Sequence, residues 1–166
     1  MFDIGDTVLY GATGVCKIDG TVEREIFGEK KEYFVLKPVS QDKSTVFVPT
    51  DNEALRAKMR KILSADEIDA IIKEVKTLPD IWEENDALRR EMYSEIIHSG
   101  DRKKVMLLIR TLYTVQQQRY KEGKRLHLSD DRFLSEAERL LYDEFSIVLG
   151  IENSDVVPYI IAKTEK

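Results

Sequence analysis

Over residues 1–62 apolar and polar side chains alternate in short bursts, whereas beyond them apolar residues recur every three or four positions almost to the last residue. The first period is that of strands and the second that of helices. Thr7-Val8-Leu9-Tyr10 is β-branched and aromatic, and Gly11-Ala12-Thr13-Gly14 supplies a turn. A longer strand starts at Gly14, with Cys16 and Ile18 on one face and Lys17 between them. Phe27-Gly28-Glu29-Lys30 turns the chain into the apolar run Tyr33-Phe34-Val35-Leu36. Gln41-Asp42-Lys43 is expected to close a hairpin onto Thr45-Val46-Phe47-Val48-Pro49, and a fifth short strand is expected around Met59-Arg60-Lys61-Ile62. Five short strands in so few residues predict a small barrel of the SH3 or Tudor type, because closure hides sheet edges.

The helical pattern begins with Ser64-Ala65-Asp66-Glu67, a capping box in which Ser and Glu satisfy each other's exposed amides. It opens a helix with Ile68, Ile71, Ile72 and Val75 on one face. A second helix aligns Leu88, Met92 and Ile96, flanked by Tyr93 and Ile97, and Ser99-Gly100-Asp101 reads as a tight corner between helices. A third runs through Val105, Leu108, Ile109, Leu112 and Val115 and ends before Gly123. Ser135-Glu136-Ala137-Glu138 is a second capping box, opening a helix with Leu141, Phe145, Val148 and Leu149 inward and Gly150 as its stop. Ser154 is placed to cap a last helix carrying Val157, Ile160 and Ile161, with Pro158 in its first turn. The fold class is therefore α+β: a β-barrel over residues 1–62, then a helical bundle over 63–166.

Inside the helical part, Leu78-Pro79-Asp80-Ile81-Trp82-Glu83-Glu84-Asn85 interrupts the pattern and holds the single tryptophan. Pro79 stops the preceding helix. Asp80 is a plausible N-cap for the next, which puts Trp82 in its first turn, followed by two acids suited to the positive helix end. A tryptophan there either fixes the helix entry as a core residue or stands partly exposed for a partner.

Composition narrows the function classes. A hydrophobic content of 42% and a charged content of 34% describe a globular chain, and no apolar run approaches the roughly 20 residues that span a bilayer. The N-terminus lacks the layout of a signal peptide, so a cytoplasmic location without membrane contact is expected. One cysteine, Cys16, excludes an internal disulfide. The net charge of −5 is spread over both halves, unlike the basic face of a free-standing nucleic-acid binder. Any binding to free duplex DNA is expected to be weak and salt-sensitive.

Catalytic constellations are missing from the pattern. His98 and His127 do not stand in a metal-ligand spacing, the early glycines precede no helix that would cradle phosphate, and Glu83 and Glu84 are adjacent and splay apart on a helix. A non-enzyme without cofactor, metal or small-molecule substrate is expected. Binding features are better developed. Alternation sends Val46 and Val48 inward and Phe47 outward with Thr45, either as a contact or beneath the Asp51–Lys58 segment, and Pro49 suits the end of an edge strand able to accept a partner strand. Arg102-Lys103-Lys104 sits where the macrodipole disfavours cations, which hints at an anionic partner, although solvated lysines beside the Asp101 cap are the commoner outcome. Arg119, Lys121, Lys124 and Arg125 form another basic cluster at a helix end. Arg89 and Arg90 follow Trp82 by about two turns, so one of them shares its side of the helix.

Phe2-Asp3-Ile4-Gly5-Asp6-Thr7-Val8-Leu9-Tyr10, Gly14-Val15, Gly28-Glu29-Lys30-Lys31-Glu32-Tyr33 and Val46-Phe47-Val48-Pro49 together resemble the CarD/CdnL family of bacterial transcription regulators. So do Ser99-Gly100-Asp101, Leu108-Ile109-Arg110-Thr111-Leu112-Tyr113 and Leu134-Ser135-Glu136-Ala137-Glu138-Arg139, in the same order along nearly the whole chain. The N-terminal module is also similar to the polymerase-binding domain of the transcription-repair coupling factor. The resemblance implies a Tudor-like module that docks on the β subunit of bacterial RNA polymerase by strand addition, through Arg24, Thr45, Val46, Phe47 and Val48. It further implies a helical domain at the upstream edge of the melted promoter, with Trp82 wedged into the minor groove and Arg139 at a DNA-linked position; Arg89 and Arg90 are the other candidate DNA contacts. A wedge holds an unstacked step open and slows bubble collapse, and tethering to polymerase raises the effective concentration of a weak DNA contact. Glu83, Glu84 and Asp86 stand where family members commonly carry basic residues, and Phe47 where one is often found. The leading expectation is a regulator that stabilises the open promoter complex. The alternatives are a polymerase-bound adaptor that recruits another protein with little DNA contact, and a structural homo-oligomer module.

Overall fold

In the first unit alternate strand residues line one core, while their neighbours Leu9 and Val15 are also buried. The computed structural model describes residues 2–39 and 44–165, so the hairpin expected at Gln41-Asp42-Lys43 lies outside the described residues. The chain divides into two compact units, Met1–Ile62 and Leu63–Lys166. The first holds β1 (Thr7–Tyr10), β2 (Gly14–Ile26), β3 (Glu29–Pro38), β4 (Val46–Pro49) and β5 (Met59–Lys61), with a one-turn helix, α1 (Glu53–Arg56), before β5. Val8, Cys16, Ile18, Leu36, Val48 and Met59 form its buried core, with Tyr10, Phe34, Val46 and Leu55 packed against it. Apart from Leu55, which comes from α1, these residues lie on one face of their strands, as period-two patterning requires.

The strands make one antiparallel sheet in the order β4-β3-β2-β1-β5. The expected closure into a barrel is corrected: the sheet is open, with β4 and β5 at its two edges. β5 is three residues long and directs its pairing to β1, through Val8↔Lys61, Leu9↔Arg60 and Tyr10↔Met59. Among the described residues no ladder joins β5 to β4. A register shift between Ile18 and Gly20 bends β2, after which it continues with β3 alone on one side as a long hairpin.

The second unit holds α2 (Ala65–Lys76), α3 (Asp86–Ser99), α4 (Arg102–Lys121), α5 (Leu128–Leu149) and α6 (Val156–Thr164). Ser64 and Glu67 cap α2 reciprocally, as the spacing predicts. Gly100 takes a left-handed φ of 72° at the end of α3, a conformation that costs glycine least, and Asp101 then caps α4 by accepting from the Lys104 amide. α4 is the central helix, burying Val105, Met106, Leu107, Leu108, Ile109, Thr111 and Leu112 against α2, α3 and α5. Among the described residues no single helix is long and apolar enough to cross a membrane.

Three local expectations are corrected. α3 is capped by Asn85, whose side chain accepts from the Leu88 amide, so Trp82 precedes the helix. Ser135 and Glu138 lie inside α5, which begins at Leu128, so they cap nothing. The buried stripe of α3 is Arg89, Tyr93, Ile96 and Ile97, leaving Leu88 exposed.

α6 is clipped to α2 by polar contacts. The Tyr159 hydroxyl donates to Asp69, and Lys163 pairs with the same carboxylate at 3.4 Å. The Tyr159 hydrogen bond holds the Asp69 carboxyl below its usual range, against the opposing effect of burial. A depressed carboxylate contributes stability above its unfolded pKa of about 4 and loses that contribution as pH falls through the folded value. Hydrogen exchange of the α6 amides should therefore quicken below about pH 4 relative to α4, and Asp69→Asn should remove that pH dependence.

Candidate functional site

On the outward face of the first sheet, three residues distant in sequence meet. Phe47 lies on β4 opposite Val35 of β3. The Arg24 guanidinium from β2 sits 4.0 Å from the Phe47 ring centroid. Tyr33 meets the same ring edge-on, with centroids 6.5 Å apart and planes at 85°. A cation over an aromatic face is favoured by the ring quadrupole, so Arg24 and Phe47 hold each other's orientation. Phe47 is thus covered by Arg24 and Tyr33. Val46 and Val48 turn inward, which leaves their main chain on an edge that pairs only with β3 among the described residues. Thr45, exposed, immediately precedes that edge. The structure therefore gathers Arg24 and residues 45–48 at one side of the sheet.

In the second unit, the non-helical segment 77–85 is held from several sides. Arg110 of α4 donates to the Val75 carbonyl, to the Leu78 carbonyl and to Asp80 at 2.8 Å. The Ile81 amide donates to the Thr111 hydroxyl at 3.0 Å, and the Tyr93 hydroxyl donates to the Ile81 carbonyl at 3.0 Å. Burial, then the nearby Asp130 charge, pushes the Tyr93 hydroxyl up to about 12, so it stays a donor. Asp80, expected as an N-cap, is thus an acceptor for Arg110.

Trp82 is half-buried. The Arg89 guanidinium lies 4.3 Å from its ring centroid, and its indole Nε1–H donates to Glu84 at 3.0 Å. Arg89 itself is only 1% exposed. Its Nε and Nη2 grip both oxygens of Asp130, which is fully buried on α5, at 3.0 and 3.1 Å. Nη2 also donates to Asp86 and Nη1 to the Glu83 carbonyl, both at 2.8 Å. Arg89 is the arginine on Trp82's side, but it does not face solvent as a phosphate contact; it is a buried plate behind the indole. Its burial also explains the rotated stripe of α3, because the charge must reach Asp130.

Arg90 is exposed. Arg139 pairs with Glu136 at 3.0 Å. It stands nine positions beyond Asp130 on α5, about 13.5 Å of rise and half a turn out of phase, so it is not on the face that meets Arg89. Trp82 instead borders a polar cleft of about 410 Å³ lined also by Asp80, Glu84, Thr111, Arg119 and Lys124. Arg119, expected at a solvated helix end, reaches the Arg125 carbonyl and His127 Nε2.

The cations opening α4 have internal partners. Arg102 makes two bonds to Glu144, 3.0 and 2.9 Å, and Lys103 pairs with Glu74 at 2.8 Å. Glu144 is 1% exposed and also accepts from the Leu63 amide. The anionic partner suggested by this triplet is therefore supplied by the fold itself for two of the three residues. Sequence reasoning missed Asp130, Tyr93, Thr111 and Arg110 as supports of the tryptophan segment. The signal available was an arginine, Arg89, four residues before Tyr93 on a buried stripe.

Comparison with known proteins agrees with this two-part organisation. Residues 2–63 match the family described as CarD-like/TRCF RID domain, and residues 70–160 match that described as CarD, C-terminal domain. The chain is 26% identical over 163 residues to a Bacillus subtilis (strain 168) protein described as "Putative transcription factor YdeB", covering 94% of this chain and 97% of that one. None of these descriptions names a catalytic activity. An N-terminal sheet and a C-terminal helical unit, each matched in order, show that the chain belongs to the CarD-like family and is a transcription regulator related to RNA polymerase-interacting proteins.

Proposed function

We propose that this protein docks on the β subunit of bacterial RNA polymerase through the β4 edge and the Arg24–Phe47 face, and uses Trp82 to stabilise the open promoter complex. The observation that carries the second half is the support of Trp82: a half-buried indole on a non-helical segment, backed by a buried guanidinium. A core tryptophan would be enclosed by apolar side chains. This one has a charged plate behind it and a polar cleft beside it. A wedge needs that kind of rigid backing, since a ring free to swing would lose its hold on an unstacked step.

The acids around Trp82 are less repulsive to phosphate than their number suggests. Asp80 is paired with Arg110, Asp86 with Arg89, and Glu84 accepts the indole N–H. In this reading Trp82 meets the DNA, Arg90 and Arg139 supply separate phosphate contacts, and Arg89 is the support. The β-sheet unit carries most of the affinity for the complex, which suits a chain of net charge −5.

Strand addition at β4 would place main-chain donors and acceptors of Thr45–Val48 against a polymerase strand, with Phe47 and Arg24 at its flank. Phe47→Asp is expected to weaken binding to the isolated β-subunit lobe about tenfold or more, by placing a charge in a desolvated contact and losing the Arg24 stack. Calorimetry on the folded variant checks this, and affinity equal to wild type would remove Phe47 from the interface.

A further inference from the structure

Besides the polar cleft at Trp82, the helical unit holds a cavity of about 510 Å³ between α2, α4, α5 and α6. That volume falls in the range of small-molecule sites. Ile72, Ile109 and Leu141, all buried, form one side, and Val157, Ile160 and Ile161 of α6 form the other. Polar groups in the wall are engaged or solvated. The Tyr113 and Tyr142 hydroxyls bond each other at 3.3 Å, Thr114 donates to the Arg110 carbonyl, and Gln117 is exposed. An apolar cavity of this kind stays dry and favours an apolar occupant, because its lining otherwise lacks contacts on one side.

Charge around the cavity is one-sided. Among the described residues, Lys76 and Arg110 are its charged lining side chains, and no acid lines it. Over the whole chain, by contrast, acids outnumber lysines and arginines by 31 to 26. Lys76 ends α2 and donates to the Thr164 carbonyl at 2.6 Å. Arg110 donates to the Val75 and Leu78 carbonyls and to Asp80. An ammonium carries three N–H donors and a guanidinium five, so each keeps donors for an incoming anion. Both cations stand at one end of the cavity, since Arg110 reaches the carbonyl of the residue before Lys76. Asp80 offsets the charge of Arg110, so Lys76 supplies the larger share of the attraction.

An apolar chamber bordered at one end by cations fits an amphipathic anion. We propose that this cavity is an effector site for a free aliphatic monocarboxylate, with its chain among the isoleucines and its carboxylate on Lys76 and Arg110. Arg110 also ties down the segment that carries Trp82, through Leu78 and Asp80. A carboxylate that draws the guanidinium towards the cavity therefore slackens the hold on that segment.

Decanoate, kept below its micellar concentration, is the probe, and the full chain alone is titrated. Calorimetry should show saturable binding of one decanoate per chain, with a Kd on the order of 100 µM. Ligand at about ten times that concentration should raise the thermal midpoint of the helical unit by about 3–6 °C and shift the Trp82 emission. Decanol has the same chain without the charge and should bind about tenfold more weakly. Lys76→Glu, at an exposed position, should weaken decanoate about tenfold and leave decanol unchanged. Ile160→Phe, which fills the cavity from α6, should weaken both ligands. No saturable binding, equal affinity for decanol, or decanoate affinity unchanged in both variants would overturn the site. Bound decanoate with unmoved Trp82 emission would overturn its effector role. A wild-type chain that is dimeric by light scattering, and monomeric as Ile161→Asp, would assign the cavity mouth to a second copy instead.

Discussion

Trp82→Ala is expected to leave polymerase binding intact and shorten the lifetime of the open promoter complex. The indole is half-buried, so the variant should lose less stability than the roughly 3–5 kcal/mol of a core Trp→Ala change. The losses are the Arg89 stack, about 0.5–2 kcal/mol, and part of the ring's burial. The segment that carries it keeps its other ties, to Arg110, Thr111 and Tyr93. On promoter DNA the same change removes the proposed prop. Each 1.4 kcal/mol of lost support should speed bubble collapse about tenfold, and unstacking a step is worth a few kcal/mol. Thermal unfolding and open-complex lifetime measured on one preparation check both halves. A folded, polymerase-binding variant with wild-type bubble lifetime would reject the wedge and favour the adaptor function, in which the helical unit recruits another protein.

The largest stability effect is expected at the pair behind the ring. Asp130→Ala would strand the Arg89 guanidinium in the interior, with Asp86 and one carbonyl as its remaining partners. Breaking a buried pair from one side costs about 3–5 kcal/mol, much of it the penalty of the uncompensated charge. The helical unit should lose its unfolding cooperativity or melt well below the wild type. The double change Arg89→Met with Asp130→Leu removes both charges, and apolar replacement of buried pairs is often neutral or stabilising. It should recover most of the stability. It should not recover open-complex lifetime, because the plate that orients Trp82 is gone. Since Trp82 is the single tryptophan, its fluorescence reports directly whether the ring moves in the double variant. A stable double variant with unchanged emission and unchanged bubble lifetime would show that Arg89 does not position the indole.

Much of the local structure was legible in the residues. Alternation put Cys16 and Ile18 on one face of β2 and Val46 and Val48 inward on β4, and the reciprocal cap at Ser64 and Glu67 formed where its spacing put it. Ser99-Gly100-Asp101 turned the chain between α3 and α4. These are short-range effects, in which the interacting groups lie within a few residues of one another. Where a local signal competed with packing, it failed. Ser135 and Glu138 have the spacing of a cap but lie within a helix that buries Leu134, Ala137 and Leu141, so continuity of the apolar face prevailed. Asp80 is a good capping residue in sequence, yet Arg110, thirty positions away, engages it.

By itself, then, the sequence determined the α+β division, the inward faces of β2 and β4, most of the helices and the family. These depend on period, turn chemistry and ordered motifs, all of which are written along the chain. Tertiary structure alone decided that the sheet stays open, that Arg24 covers Phe47, and that Arg89 is buried behind Trp82. Each of these joins groups from separate elements. A guanidinium's role depends on which carboxylate it meets: Arg89 and Arg90 are neighbours in sequence, but Asp130 lies on the side of α3 that only Arg89 faces. Adjacent residues on a helix point about 100° apart, and that angle separates a buried support from an exposed cation.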